Sequence, residues 1–161
     1  MNKLSKKLKS SKGFSLIELV IVLGIIAVLV AVVGAFIIKY IEKSKIQKDV
    51  ANGSALASAA VAAANEPEIY RELSHSIPVG NTQTTMYSPG LNWSTPYTDT
   101  FTTTVARNYG ALPDFEYRKV TPSSWVIQVT NTGERLDVKV SIVTASGTFQ
   151  VAPEAEGPYD K

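Results

Sequence analysis

The sequence predicts an α+β fold: one long N-terminal helix whose second half lies on a small antiparallel β-sheet, with the first half protruding. Three observations predict it. Residues 19–38 contain neither a charge nor a proline. From there to residue 64 the chain stays free of proline and is rich in alanine, the best helix former. After Pro113 the composition changes to short β-branched segments separated by glycine-containing turns. A helix with one apolar stripe and a sheet with one apolar face are stable when each buries the other.

The first 12 residues are polar and carry Lys3, Lys6, Lys7, Lys9 and Lys12, five of the 16 basic residues in a chain of 161. Lysines beside an apolar run keep that end in the cytoplasm and send the C-terminal side outward. The formal charge of the whole chain is +2, but residues 14–161 hold 11 basic and 14 acidic residues, a charge of −3. That balance argues against nucleic acid as a partner of the bulk surface, since phosphate neutralisation needs clustered Lys and Arg. There is no cysteine, so disulfides and thiolate metal sites are excluded.

Residues 19–38, as a helix, span about 30 Å, the thickness of the bilayer hydrocarbon. A cleaved secretory signal competes with this reading. Its apolar region is shorter, however, and ends at a small-residue site, whereas this run leads directly into more helix-compatible sequence. Gly24 and Gly34 are its soft points. One carboxylate, Glu18, stands at the edge of the run. A carboxylate near mid-bilayer costs about 2–3 kcal/mol, which makes it a functional hypothesis by default.

Over residues 39–64, Ile46, Val50, Gly53, Ala57, Val61 and Ala64 recur at three- and four-residue spacing and predict the buried stripe. Residues 42–45 and 47–49 place polar groups, Asp49 among them, on the outward side. An alanine-rich helix covering a sheet, with Leu56 and Val61 as core contacts, accounts for this segment. Close packing against neighbouring helices through small side chains accounts for it equally well. Asn65-Glu66-Pro67 ends the helix, because the residue before proline is pushed out of the α region. Residues 14–64 would form one helix of about 75 Å.

Residues 66–97, punctuated by proline and glycine, read as loop with a short helical turn near 68–73. In residues 98–109, Phe101, Val105 and Tyr109 fit a helical face while the run of threonines favours a strand, and both stay open. Residues 115–120, 125–130, 135–143 and 148–151 read as strands, with alternation clearest at Leu136, Val138, Val140 and Ile142. Asn131-Thr132-Gly133 and Ala145-Ser146-Gly147 read as hairpin connections. An acidic, proline-containing tail follows.

Catalytic chemistry has little to draw on. His75 is the only histidine and falls in the polar loop. No phosphate-binding or dinucleotide motif occurs. Glu66, Glu68 and Glu72 beside Arg71 read as a solvated face rather than a calcium site, as does Asp160. Asn52-Gly53-Ser54 and Asn92-Trp93-Ser94 match the glycosylation sequon, a common chance match. The residues imply no enzyme, no cofactor and no metal.

The specific signal is Gly13-Phe14-Ser15-Leu16-Ile17-Glu18-Leu19 behind the lysine leader. Over residues 12–40 it resembles the class III signal of bacterial type IV pilins and pseudopilins. The resemblance implies four parts: a leader at 1–13, a membrane and assembly helix at 14–38, its amphipathic continuation at 39–64, and a β-rich pilin head at 65–161. It implies cleavage between Gly13 and Phe14 by a membrane prepilin peptidase, N-methylation of Phe14, and pairing of Glu18 with the Phe14 amine of a neighbouring copy, which fixes assembly registry. Implied partners are other copies of the chain, the peptidase, an assembly platform and minor pilins. The chain would be held by a single pass in the cytoplasmic membrane and then moved to an extracellular filament for adhesion, motility or DNA uptake. A pseudopilin of a secretion or competence system is the alternative, and a signal-anchored binding protein or enzyme a more distant one. Two features depart from the pattern: Ala35 stands where many pilins carry a proline, and the C-terminal disulfide loop is impossible here.

Overall fold

The computed structural model describes residues 13–87 and 100–160. The lysine leader, the segment 88–99 and the sequon at Asn92 lie outside the described residues. Two compact units divide the chain, Met1–Tyr40 and Ile41–Lys161. The helix α1, Leu16–Ala64, contributes to both.

In the first unit α1 is apolar from Leu19 to Ile38 and largely uncovered: Leu16, Val28 and Phe36 are 81%, 66% and 70% exposed. The helix runs through residues 34–36 without interruption. Neither Gly24 nor Gly34 has an atom within 4 Å of the position its Cβ would take.

The second unit holds the core. Four antiparallel strands form a meander in the order β1 (Thr82–Tyr87), β2 (Pro122–Asn131), β3 (Leu136–Thr144) and β4 (Gly147–Ala152). Two short helices, α2 (Pro67–Ser76) and α3 (Thr100–Tyr109), precede β2. Trp125, Ile127 and Val129 of β2, Val140 and Ile142 of β3, and Val151 of β4 form one apolar cluster with Ile46, Leu56, Ala60 and Ala63 of α1. The alternation at Val140 and Ile142 is thus the core face of a strand. At Gly53 the absence of a side chain is a packing requirement, since a Cβ there would stand 2.5 Å from Cγ2 of Val151 and 3.4 Å from the Trp125 ring.

Several expectations need correction. The buried face of α1 carries Ile46, Asp49, Gly53, Leu56, Ala59, Ala60, Ala63 and Ala64; of the expected stripe Ile46, Gly53 and Ala64 are buried, Val50 and Ala57 are partly buried against the core, and Val61 falls outside it. Val61 is 41% exposed, and Asp49, expected on the outward side, is fully buried. Both stripes keep the helical period, so spacing alone did not separate them. Large apolar residues are scarce in this segment, and small ones carry little information about facing.

The helical turn expected near 68–73 is α2, but the rest of the expected loop at 66–97 contains the whole of β1, and its residues 88–97 lie outside the described ones. The strand escaped notice because its sequence, Thr-Gln-Thr-Thr-Met-Tyr, is polar; it is an edge strand with only Tyr87 buried. Residues 100–109 are helical, with Phe101 and Val105 buried as the helical face required. Residues 115–120 are not a strand. Arg118–Val120 is a short 3-10 turn, and Thr121 adopts a left-handed conformation with φ +46°.

Asn131 joins α2 to the sheet. Its Nδ2 donates to the carbonyls of Ile77 (2.8 Å) and Ser74 (3.4 Å), and its Oδ1 accepts the Gly133 N–H (2.9 Å). The acidic tail is packed: the Glu156 N–H donates to the Gln150 carbonyl at 2.9 Å, and Tyr159 is buried edge-on to Tyr117 with ring centroids 6.0 Å apart.

Candidate assembly element

Gly13, Phe14 and Ser15 lie outside helical structure and are exposed, Phe14 at 91%. The helix begins at Leu16, so Ser15 is its N-cap. Ser15 Oγ accepts the Ile17 N–H at 3.3 Å, and Glu18 Oε2 accepts the Ser15 N–H at 2.8 Å. Ser15 thus caps the N2 amide while Glu18, at N3, reaches back to the N-cap N–H as in one half of a capping box, satisfying donors that a helix start otherwise leaves unpaired. The negative charge also sits at the positive end of the helix dipole. Gly13 and Phe14 immediately precede this cap, and Glu18 lies in the first helical turn after it. Ser15 was missed as a partner of Glu18, although the Ser-x-x-Glu spacing is a recognised signal for it.

After Glu18 the surface is apolar on every side as far as Ile38. The helix is long and apolar enough to cross a membrane by length and composition. Taking a large aliphatic side chain out of water is worth about 1.5–3 kcal/mol, so a surface of this kind is stable only in lipid or against other apolar chains.

In the second unit α1 is fixed by polar contacts. The Asp49 carboxylate accepts the backbone N–H groups of Glu116 (2.9 Å) and Tyr117 (3.0 Å). Burial pushes its carboxyl above the ordinary range, while these two donors pull it back. Burial likewise raises the Tyr159 phenol, with the nearby Asp49 charge adding to it. At the surface Lys48 pairs with Glu116, and Lys119 with Glu42 at 3.3 Å. The Lys48 ammonium lowers the Glu116 carboxyl. No sequence pattern assigned Asp49 this role, but an aspartate three residues after Ile46 and four before Gly53 falls on the buried face.

Two further features border this unit. Glu68, Arg71, Glu72, His75 and Thr100 line an open polar depression, and no group of three or more metal-ligating side chains occurs among the described residues. Ser54, Ala57, Ser58, Val61 and Ala62 of α1 line an apolar groove of about 490 Å3 with Val138, Ala152 and Pro153.

Residues 8–34 match the family model described as the prokaryotic N-terminal methylation motif. The chain carries a type IV pilin-like class III signal peptide, joined to an α+β fold of long helix and four-stranded sheet consistent with that of a pilin. The motif points to a structural protein rather than an enzyme, and with the apolar helix it supports membrane anchoring before assembly. No match is found among curated proteins or solved structures.

Proposed function

We propose that the chain is a structural subunit of a type IV pilus, polymerising through residues 14–38 into a surface filament. A prepilin peptidase removes residues 1–13 by cutting between Gly13 and Phe14, and Phe14 is N-methylated. The helix then leaves the bilayer to bundle with those of other copies on an assembly platform with minor pilins, and Glu18 pairs with the Phe14 amine of a neighbour. The head, residues 65–161, decorates the filament and carries whatever adhesion, motility or DNA-uptake specificity it has.

The observation that carries this reading is the coincidence of the methylation motif with an uncovered apolar half-helix whose first turn bears a carboxylate. A membrane anchor needs the apolar surface but not the charge. A polymer uses both, since a charge removed from water is tolerated when an opposite charge meets it there. Electron microscopy of sheared surface material, with immunodetection of this chain, tests the proposal. Long labelled filaments are expected; the chain confined to the membrane fraction would contradict it.

A further inference from the structure

We propose that the exposed lysines Lys43 and Lys45, on the first turns of α1 within the second unit, bind the phosphate headgroups of anionic phospholipids on the outer face of the membrane. The inference rests on the membrane stage of the function proposed above and adds a ligand for the second unit. Lysines beside an apolar run favour the cytoplasmic side. Five of them precede the run, yet Lys39, Lys43, Lys45 and Lys48 follow it within ten residues of Ile38, with Glu42 the only carboxylate among them. Four lysines on the side that crosses the membrane nearly cancel the bias that sets the topology. That cost calls for a compensating partner on the outer side.

Internal pairing leaves these two charges over. Lys48 pairs with Glu116, and Lys119 with Glu42 at 3.3 Å. The Lys48 ammonium lowers the Glu116 carboxyl and Lys45 adds to the effect, so that carboxylate is already neutralised. Asp49 is buried and holds backbone amides. Lys43 and Lys45 are exposed, and neither forms an ion pair among the described residues. At about 100° per residue they stand about 160° apart round the helix. A partner lying along one face meets one of them, whereas the headgroup layer, which surrounds a helix leaving the bilayer, meets both. That layer is about 5–8 Å thick on each side. At 1.5 Å per residue Lys43 and Lys45 lie about 8 and about 11 Å past Ile38 along α1. Helical side chains lean towards the N-terminus, here towards the lipid, and a lysine stem carries its ammonium the remaining distance. An ammonium attracts phosphate as a point charge, and each lysine beside an anionic surface strengthens binding about fivefold.

The test reconstitutes the full chain into liposomes of phosphatidylcholine alone or mixed with phosphatidylglycerol. A neutral amine-reactive reagent is added, and peptide mass spectrometry reads the reaction at each lysine. Lys43 and Lys45 should react about fivefold more slowly in the mixed liposomes, while the exposed Lys139 of β3 reacts at the same rate in both. Equal rates at Lys43 and Lys45 in the two liposomes would overturn the proposal. A slowing of the same size at Lys139 would overturn it as well, since it marks a uniform surface effect. The protection should disappear in high salt, which screens exposed charges. Protection that persists there reports burial rather than headgroup binding and counts against the proposal. The measurement needs neither leader removal nor filaments. A chain that never polymerises therefore contradicts the function proposed above, while the liposome rates decide the lipid site by themselves.

Discussion

The buried carboxylate of Asp49 on α1 holds the backbone N–H of Tyr117 at 3.0 Å, and its other oxygen holds that of Glu116 at 2.9 Å. One helix residue thereby satisfies two consecutive donors of a segment that forms no strand. Aspartate is well matched to the task, because an ionised carboxylate only accepts.

Asp49→Ala should destabilise the folded chain by about 2–4 kcal/mol, since it leaves two amides without their acceptor. Asp49→Asn should cost less, because its carbonyl oxygen can still take one of the two. Thermal unfolding of the detergent-solubilised chain, followed by near-ultraviolet circular dichroism, measures both. An alanine variant as stable as wild type would remove Asp49 from the fold's supports.

The pH dependence of that difference has a definite sign. Burial raises the Asp49 carboxyl above its ordinary value of 3.8, so the folded chain takes up this proton more readily than the unfolded one. The group's contribution is fully present below pH 3.8 and is lost as pH rises through the raised folded value. The stability of wild type relative to Asp49→Asn should therefore increase as pH falls from 7 towards 4. Glu116, whose carboxyl is lowered, acts in the opposite direction but is present in both chains. A difference that shrinks on acidification would contradict the assignment.

Gly53→Ala should be destabilising by about 1–3 kcal/mol, although alanine gains helix propensity of about 1 kcal/mol over glycine. The new methyl would meet Val151 Cγ2 at 2.5 Å and Val151 Cβ at 3.2 Å, in a close-packed core. Gly53→Ala combined with Val151→Ala should be less destabilised than the sum of the single changes, by the same unfolding measurement.

Gly13→Val should block removal of the leader, because a branched side chain obstructs the backbone at the proposed scissile bond. Glu18→Ala should leave removal largely intact and abolish filaments. Immunoblotting for the shift in mobility separates the two variants, with Gly13→Val accumulating as the longer species. Normal filaments from Glu18→Ala would remove the registry role.

Legibility in the sequence followed residue size. The long helix, its end at Asn65-Glu66-Pro67 and the strands around Ile127, Val140 and Val151 could be read from bulky apolar residues with a clear period or from a proline. Gly13, Phe14 and Glu18 stood out because a motif and a misplaced charge marked them. Asp49 did not, because its partners are backbone amides 67 and 68 residues away, which have no signature. The polar edge strand β1 is specified by pairing with β2, seen in Thr82 opposite Thr130, and not by its own composition. At 115–120 no strand forms, and the consecutive amides of Glu116 and Tyr117 both turn to Asp49, which the residues of that segment do not announce.

The proposed function requires processing between Gly13 and Phe14 before polymerisation. N-terminal mass spectrometry of the chain recovered from sheared surface filaments tests it most directly. A chain that begins with N-methylated Phe14 is expected; one that still carries residues 1–13 would overturn the proposed processing and polymerisation.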